Sequence, residues 1–396
     1  MKTLILGNGA AGLEAALTLR KHDAQMNIML LTESRWLHYY RPKLIHFLAE
    51  EQSPVELITY DDDFYQKMNI YNVLGRKVVS LDTAARRVTD EYGGVYHYDQ
   101  LLIATGSRPF VPPIEGIEKD GVFTLRSITD AQRIRRYSEQ VSDVVVIGGG
   151  LLGLENSFSL HQLGKRVTAI EYSPWLLHRQ LDETGGKHLQ KLLEVKGLNF
   201  LLNAQVEKIV GGSRVEGVQL KDGRFVPCGA VLVSAGVRGD MDFLKGTPIA
   251  TNRGIIVDDR MRTNVDGVWA AGDVCEHRGI TYGLWIVARE QGQIAGLDMA
   301  GQPTSYDGSI PSSLLKITGI NVFSMGDVKA VGESLEALDE ASYKKLVVGD
   351  HNKPLSAMVV GDRSAIGTAQ KVMSGKLPAD EFKKHLQPPE NEKAPE

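Results

Sequence analysis

Two short stretches of this chain combine an apolar run with glycines at a fixed spacing. They are TLILGNGAAGLE at residues 3–14 and VVVIGGGLLGLE at residues 144–155. Their glycines occupy the same three places, Gly7, Gly9 and Gly12 in the first stretch and Gly148, Gly150 and Gly153 in the second. In this pattern the first glycine permits a tight turn, the second lets the backbone approach a pyrophosphate, and the third allows a helix to pack closely on its strand. Since the start of such a helix attracts an anion, each stretch predicts a cradle for the diphosphate of a dinucleotide.

A carboxylate follows each glycine stretch at the end of the next apolar strand. The spacings from Gly12 to Glu33 and from Gly153 to Glu171 are close to the roughly 20 residues expected before an acid that binds ribose hydroxyls. A carboxylate about 4 Å from a 2′-phosphate is repelled by about 4 kcal/mol at an effective dielectric of ~20. At Glu171 this repulsion favours NADH over NADPH roughly thousandfold. Arg179 lies just downstream and could hold that phosphate, so the preference for NADH rests on Glu171.

Composition narrows the class of protein. The 396 residues carry 45 basic and 49 acidic side chains, a formal charge of −4, which does not suggest nucleic acid or an anionic membrane as a partner. No apolar run reaches the roughly 18 residues of a membrane-spanning helix. A strand predicted to begin at Thr3 leads us to expect no signal peptide. The only cysteines are Cys228 and Cys275, so we expect no disulfide framework and a cytoplasmic location. No metal site is predicted.

Patterns of apolar residues predict the elements that position the glycine stretches. Each stretch is predicted to follow a strand and to open a helix, while alternating patterns over 76–103 and 199–234 predict antiparallel strands. Residues 57–72 are interpreted as mixed helix and loop. A strand over 267–271 is followed by a long helical pattern. The sequence therefore predicts an α/β protein in which the strand, glycine turn and helix occur twice.

Five segments in the same order resemble the two-dinucleotide FAD/NAD(P)H reductases, the pyridine nucleotide–disulfide oxidoreductase superfamily. They are ILGNGAAG, ATGSRP, VIGGGLLGLE, SAGVR and VWAAGDV, and they span about residues 3–300. The resemblance implies FAD at the first glycine stretch and NADH at the second. It also implies two Rossmann-like dinucleotide-binding domains, the NADH domain inserted into the FAD domain, and a small C-terminal α/β interface domain. The predicted boundaries are 1–109 and 241–309 for FAD, 110–240 for NADH and 310–386 for the interface domain, with a disordered tail at 387–396.

The resemblance further implies which residues contact each cofactor. For FAD they are Gly7, Gly9, Ala10, Ala11, Gly12, Glu33, Ser34, Arg41, Pro42, Val78, Ala104, Thr105, Gly106, Arg108, Gly272, Asp273 and Trp285. For NADH they are Gly148, Gly150, Leu151, Leu152, Gly153, Glu171, Arg179 and Gly236. Asp273 is the most informative of these, because in the superfamily this aspartate holds the ribitol hydroxyls of the flavin. A helix-capping aspartate is the alternative interpretation of Asp273.

The route by which electrons leave depends on the cysteines. The chain has no C-x-x-C or C-x-x-x-x-C pair, and the loop WLHYYRPKLIHFLAE at 36–50 has no cysteine. Both cysteines are interpreted as small core residues, so a thiol relay is disfavoured. The loop resembles instead the Y-x-R-P-x-L segment of reductases that serve small iron–sulfur proteins. These are rubredoxin reductases, ferredoxin reductase components and the flavin part of assimilatory nitrite reductases.

Three residues are predicted to act near the reacting groups. His46 occupies the place where many members of this group have a lysine, four residues after the proline of Y-x-R-P. Glu155 matches a glutamate often found near the nicotinamide, and Lys316 resembles a basic residue of the C-terminal domain. We hypothesise that Glu155 and Lys316 pair. In the alternative interpretation, His46 is a polar loop residue, Glu155 is a helix carboxylate and Lys316 is a surface lysine.

These observations predict an NADH-dependent FAD oxidoreductase that passes electrons singly to a small carrier, with rubredoxin favoured. Three other functions stay open. They are an NADH oxidase that forms hydrogen peroxide, an electron-transfer component of the ferredoxin or nitrite reductase kind, and an NADH-sensing flavoprotein that acts through its oligomeric state. A homodimer is also left open. No nucleic-acid or membrane partner is predicted.

Overall fold

The computed structural model describes residues 1–49, 52–317 and 319–386. The predicted tail at 387–396 lies outside the described residues. The chain forms two compact units. Unit 1 consists of 1–110, 126–131 and 236–309, and unit 2 consists of 111–125, 132–235 and the chain from 310 onward. The three-domain division drawn from the sequence stays a prediction.

The elements are numbered along the chain. The strands are β1 Lys2–Leu6, β2 Asn27–Leu31, β3 Ile70–Val73, β4 Val78–Asp82, β5 Arg87–Asp90, β6 Val95–His97, β7 Gln100–Ile103, β8 Ser107–Pro109, β9 Val122–Phe123, β10 Asp143–Ile147, β11 Arg166–Ile170, β12 Asn199–Leu201, β13 Val206–Val210, β14 Gly217–Leu220, β15 Phe225–Pro227, β16 Ala230–Val233, β17 Val237–Gly239, β18 Ile255–Val257, β19 Val268–Ala270, β20 Cys275–His277, β21 Ser312–Ile317, β22 Ile320–Gly326, β23 Glu333–Leu338, β24 Tyr343–Val348 and β25 Pro354–Val360. The α-helices are α1 Ala10–His22, α2 Leu44–Leu48, α3 Pro54–Leu57, α4 Asp62–Lys67, α5 Ile128–Ser138, α6 Leu151–Gln162, α7 Glu183–Val195, α8 Trp285–Met299 and α9 Arg363–Met373. Short 3₁₀ helices cover Arg41–Lys43, Asp242–Leu244, Asp350–Asn352 and Ala379–His385.

Unit 1 is built on a parallel sheet in the order β19-β7-β1-β2-β3. The central strand β1 ends in three consecutive apolar residues, Leu4, Ile5 and Leu6, which are all buried, as expected for a parallel strand covered on both faces. An antiparallel meander, β4-β5-β6, is inserted before β7. Helices α1 and α8 are so close that a Cβ at Gly292 of α8 would lie only 2.3 Å from the carbonyl oxygen of Ala11 in α1. Glycine at position 292 therefore allows this close packing.

Unit 2 repeats this plan. Its parallel sheet has the order β12-β11-β10-β16-β9, with the antiparallel meander β13-β14-β15 inserted before β16. A second, antiparallel sheet follows in the order β21-β22-β25-β24-β23. Helix α9 contacts β22 and β25, and helix α7 contacts β24 and β25. The C-terminal sheet therefore packs on α7, a helix that precedes β12 in the chain.

The strands β3 and β8 were not predicted from the sequence. Residues 57–72, interpreted as mixed helix and loop, contain α4 and most of the edge strand β3, which pairs in parallel with β2. This strand shows no clear alternation, because only its first residue, Ile70, is buried. The proline-rich crossing begins with β8, which pairs antiparallel with β17. Phe110 donates its backbone N–H to the carbonyl of Gly236 at 2.8 Å.

None of the described helices is both long and apolar enough to cross a membrane.

Candidate nucleotide-binding sites

The first glycine stretch forms a turn in which two of its three glycines cannot carry a side chain. Gly7 has a φ of +107°, and a Cβ there would lie 2.2 Å from the carbonyl oxygen of Ala104. A Cβ at Gly12 would lie 1.9 Å from the carbonyl oxygen of Gly7. Gly9 is different, since its φ is −90° and a Cβ there would meet no atom within 4 Å. The protein itself therefore does not require glycine at position 9, whereas a ligand that approaches the backbone does.

The helix that follows presents its start to the same open space. Gly9 is the N-cap of α1, so no side chain caps the helix there, and the first turn carries no acidic residue. Its first residues, Ala10 and Ala11, are small and buried. The amide groups of such a turn have no helical acceptor and attract an anion. This geometry fits a diphosphate.

The second glycine stretch repeats the same contacts. Gly148 has a φ of +119°, and a Cβ there would lie 2.4 Å from the carbonyl oxygen of Ser234. A Cβ at Gly153 would lie 1.9 Å from the carbonyl oxygen of Gly148, while a Cβ at Gly150 would meet nothing within 4 Å. Gly150 is the N-cap of α6, again without a side-chain cap. Each unit therefore contains a cradle of the same construction.

The two acids that follow the cradles differ in their surroundings. The Glu33 side chain is 60% exposed, and its Oε1 lies 3.7 Å from Nζ of Lys77. The Glu171 side chain is 10% exposed. Its Oε2 accepts the backbone N–H of Gly149 at 2.5 Å, and its Oε1 accepts that of Ser173 at 2.8 Å. The backbone of the second cradle thus holds Glu171 in place, whereas Glu33 is held by one exposed pair.

A cationic cluster in unit 1 joins the predicted residues Arg41 and Asp273 to Arg126, which the sequence analysis missed. Asp273 follows the sheet strand β19, and its Oδ2 accepts hydrogen bonds from Oγ of Ser107 at 2.9 Å and from Nη2 of Arg126 at 3.3 Å. Burial, and then the nearby charge of Arg41, lower the pKa of Arg126 to about 10. Nε of Arg126 and Nε of Arg41 are buried and have no hydrogen-bond partner among the described residues. Unpaired buried N–H groups on two neighbouring cations fit an anionic ligand such as a diphosphate.

Aromatic rings tie the loop of Arg41 to the first cradle. Trp285, the first residue of α8, has its ring centroid 5.7 Å from that of His38 and 5.1 Å from that of Tyr40. Nδ1 of His38 donates to the carbonyl oxygen of Asn8 at 3.1 Å, which fixes the tautomer of a neutral ring. Burial lowers the pKa of His38 and keeps the ring neutral. His38 was missed because no motif marks it.

The chain is similar to known proteins over most of its length. Residues 1–292 match the family described as pyridine nucleotide-disulphide oxidoreductase, and residues 311–377 match the rubredoxin NAD+ reductase C-terminal domain. The chain belongs to the pyridine nucleotide-disulphide oxidoreductase family. The predicted family and the predicted α/β fold class are therefore confirmed. Members of the family use FAD and NADH, so the cofactor prediction is confirmed at that level.

Several relatives in the family are similar over most of this chain. The chain is 37% identical over 369 residues to a nitrite reductase [NAD(P)H] of Bacillus subtilis, which covers 91% of this chain and 46% of that protein. It is 33% identical over 373 residues to an NADH-rubredoxin oxidoreductase of Clostridium acetobutylicum, covering 93% of each. The crystal structure of NADH:rubredoxin oxidoreductase from C. acetobutylicum superposes with a TM-score of 0.81 at 30% identity, covering 95% of this chain and 96% of that one. The chain thus spans about half the length of the B. subtilis relatives.

The other residues that family resemblance assigned to FAD all lie in unit 1. Oγ1 of Thr105 donates to the carbonyl oxygen of Asp240 at 3.0 Å, and Arg108 pairs with Asp242. A Cβ at Gly106 would lie 3.3 Å from Nη2 of Arg126. Ser34 forms hydrogen bonds with the backbone of Trp36, and the backbone N–H of Gly272 donates to Oε1 of Gln291. Val78 lies in β4, and Pro42 is exposed. Their assignment to FAD stays a prediction.

The residues assigned to NADH lie in unit 2, with one exception. Leu151 and Leu152 form the first turn of α6, and Leu152 is exposed. Arg179 is exposed in the loop before α7. Gly236, with a φ of +101° and open space at its Cβ position, belongs to unit 1. These assignments also stay predictions.

The structure does not bring the hypothesised pair together. Glu155 lies in α6 and Lys316 in β21, both in unit 2, and no ion pair joins these two described residues. Lys316 is exposed, and burial alone accounts for the raised pKa of Glu155. The ion pair of Glu155 with Lys316 is therefore not formed here, and a role for either residue near the reacting groups stays a prediction. His46 is an exposed residue of α2.

Glu155 makes the stability of the protein depend on pH. Burial raises its pKa from 4.5 to about 7, so the folded state holds this proton more tightly than the unfolded state. Its stabilising contribution is complete below about pH 4.5 and is lost as pH rises through about 7. When the pH rises from about 5 to about 8, the free energy of unfolding should fall further in the wild type than in Glu155→Gln. The difference between the two falls should reach up to about 3 kcal/mol. Denaturant unfolding at both pH values measures this.

The matched control for this prediction is Glu194→Gln. Glu194 is an exposed helix carboxylate of the same unit, which accepts a hydrogen bond from Gln190 at 2.7 Å. This variant should keep the pH dependence of the wild type. Identical pH dependence in Glu155→Gln and Glu194→Gln would contradict the assignment.

Proposed function

We propose that this chain is an NADH-dependent FAD oxidoreductase that passes electrons to a small redox protein, with rubredoxin favoured over ferredoxin. The observation that carries the proposal is the duplicated cradle, one in each unit, with the open space above Gly9 and Gly150 as its shared feature. When bound, NADH supplies a hydride and FAD accepts it and releases electrons singly. The chain's own part is to bind, orient and shield the two nucleotides.

Each group of residues has a separate part in this proposal. The turn at Gly9 and the first turn of α1 bind the diphosphate of FAD, and the guanidinium groups of Arg41 and Arg126, whose Nε–H groups have no partner among the described residues, neutralise it. Asp273 orients the ribitol chain. The turn at Gly150 and the carboxylate of Glu171 bind the adenosine half of NADH. Trp285, packed between His38 and Tyr40, covers the side on which electrons leave.

The cysteines support direct transfer from flavin to the acceptor. Cys228 and Cys275 are both buried, and burial raises the pKa of each thiol to about 12. Neither is a thiolate near neutral pH, so neither is a nucleophile for a disulfide substrate. Two similarities favour rubredoxin as the acceptor. Residues 311–377 match the rubredoxin NAD+ reductase C-terminal domain, and the chain is similar to an NADH-rubredoxin oxidoreductase over 93% of the length of that protein.

A second candidate is the electron-transfer part of a nitrite or nitrate reductase. It is favoured by the 37% and 34% identity to B. subtilis proteins named nitrite reductase [NAD(P)H] and assimilatory nitrate reductase electron transfer subunit. Since the chain matches about half of each, the rest of such a protein would have to act as the acceptor. Homodimer formation and a cytoplasmic location stay predictions.

One stopped-flow experiment separates these functions. FAD-loaded protein is reduced with NADH without oxygen, then mixed with rubredoxin, with ferredoxin, with oxygen, or with the remaining part of the B. subtilis nitrite reductase and nitrite. We expect rubredoxin to reoxidise the flavin fastest. Fastest reoxidation by oxygen would overturn the proposal in favour of an NADH oxidase, and fastest reoxidation by the nitrite reductase part would favour the second candidate. Slow reoxidation by every acceptor, together with NADH-dependent dimerisation, would favour a sensor.

Replacing Glu171 should relax the choice between NADH and NADPH. The carboxylate is nearly buried and fixed by two backbone N–H groups, so it cannot turn away from a 2′-phosphate. Glu171→Gln removes a repulsion of about 4 kcal/mol, and the ratio of the dissociation constants for NADPH and NADH should fall by roughly 100-fold or more. Calorimetric titration of FAD-loaded protein measures both constants. The control is Glu33→Gln at the other cradle, which should leave the ratio unchanged, and an equal effect of the two changes would reject the role of Glu171.

A further inference from the structure

The carboxylate of Asp182 connects the N-terminus of α7 to the C-terminal sheet. Asp182 is the N-cap of α7 and accepts the backbone N–H of Gly185 at 2.9 Å. Its Oδ2 also accepts hydrogen bonds from the hydroxyl of Tyr343 at 2.7 Å and from Nζ of Lys345 at 3.0 Å. Tyr343 and Lys345 stand two positions apart on β24, so they face the same side of the sheet. A charged carboxylate with three donors is a strong connection between the helix and the sheet.

The packing around this carboxylate is tight. Tyr343 is fully buried, and a Cβ at Gly185 would lie 2.9 Å from its ring. The Asp182 and Lys345 side chains are only 23% and 20% exposed, so water screens their ion pair weakly. The backbone N–H of Asp182 points to Sδ of Met358, on the neighbouring strand β25, at 3.4 Å. These contacts hold the start of α7 in a fixed place against the C-terminal sheet.

The loop before α7 connects the start of this helix to the second cradle. Nε1 of Trp175 donates to the carbonyl oxygen of Leu181 at 3.0 Å, and a Cβ at Gly186 would lie 2.4 Å from the Trp175 ring, so the loop is folded against the helix. In the middle of this loop the backbone N–H of Leu177 donates to the carbonyl oxygen of Gly149 at 3.1 Å. Gly149 lies within the second glycine stretch and donates its own N–H to Glu171. A continuous path of contacts thus runs from the C-terminal sheet to the cradle.

We infer that the C-terminal sheet positions the second cradle through Asp182, which makes Asp182, Tyr343 and Lys345 positioning residues for the nicotinamide nucleotide. The inference rests on the proposed function, since it takes the second cradle as the NADH site. It gives residues 311–377 a part in nucleotide binding that is separate from any contact with the electron acceptor. Losing the ion pair leaves the cradle intact and widens the range of positions that the loop at 172–181 can take.

The test uses full-length, FAD-loaded protein and ADP-ribose, the part of NADH that the cradle would grip without redox chemistry. Lys345→Met removes the cation, and Asp182→Asn removes the charge while keeping a good N-cap. Each should raise the dissociation constant for ADP-ribose roughly fivefold, as residues that couple two sites do. Lys345→Arg should bind as the wild type does. The double variant should show no larger effect than the stronger single one, since both remove the same connection.

A second readout separates positioning from simple loss of stability. Hydrogen exchange of the backbone amides at 172–181 should be faster in Lys345→Met, with the flavin content per chain unchanged. The matched control is Lys187→Met on α7, which breaks an exposed ion pair with Glu183 at 2.6 Å and has no part in the connection. This control should change neither readout.

The possible failures are distinguishable. If the wild type does not bind ADP-ribose, the proposed function fails and the inference falls with it. If the wild type binds ADP-ribose and Lys345→Met and Asp182→Asn bind it equally well, the inference alone is overturned. Equal weakening by Lys345→Met and Lys187→Met would also overturn it, because the effect would then be a general one.

Discussion

Replacing Gly9 with valine should give a folded protein that binds FAD much more weakly than the wild type. At this position φ is −90° and ψ is −165°, an extended conformation that valine adopts readily, and a Cβ would meet no protein atom within 4 Å. The new side chain would fill the space in which a diphosphate has to lie against the backbone. Overpacking of this kind costs about 1–3 kcal/mol, so the affinity for FAD should fall roughly 10- to 100-fold. Flavin content after gel filtration and the dissociation constant for added FAD measure the effect.

Gly12→Ala is the contrasting variant for this experiment. Here a Cβ would lie 1.9 Å from the carbonyl oxygen of Gly7, so the protein itself excludes a side chain. We expect Gly12→Ala to lower the midpoint of thermal unfolding, whereas Gly9→Val should unfold close to the wild-type apoprotein. Wild-type retention of FAD by a folded Gly9→Val protein would contradict the assignment of FAD to the first cradle.

The equivalent change in the second cradle should have a different outcome. Gly150 also has an extended backbone, with a φ of −81°, and open space at its Cβ position. Gly150→Val should therefore keep its yellow flavin and lose binding of NADH by a similar factor, roughly 10- to 100-fold. Dithionite should still reduce the flavin fully, because the first cradle is unchanged. Anaerobic reduction by NADH and by dithionite, followed by absorbance, gives both results.

The comparison of the two valine variants is more informative than either alone. If each cradle binds its own nucleotide, Gly9→Val affects flavin content and Gly150→Val affects reduction by NADH. Loss of FAD from Gly150→Val, or normal reduction of this variant by NADH, would mean that the two cradles are wrongly assigned.

The sequence allowed the two cradles to be predicted because their chemistry is local. Three glycines, an apolar strand before them and an acid after the next strand are all set by short-range spacing. The repetition of this pattern also predicted the repeated architecture of the two units. The sequence did not reveal that Glu33 is exposed and that Glu171 is fixed by backbone donors, because the same spacing occurs in both places.

The parts that could not be predicted depend on contacts between distant segments. Arg126 meets Asp273 across 147 positions of the chain, and Tyr343 meets Asp182 across 161. Each pair forms only when separate strands and helices have folded, so no window of sequence carries its signal. Such pairs decide which buried charges are satisfied and which remain available to a ligand.

The proposed function requires that the two units bind two different nucleotides at the same time. Anaerobic titration of the FAD-loaded protein with NADH, with ultrafiltration after each addition, tests it most directly. We expect NADH to bleach the flavin absorbance in a stoichiometric amount while the filtrate stays free of FAD. Release of FAD into the filtrate as NADH is added would contradict the claim, because it would show that both nucleotides compete for one site.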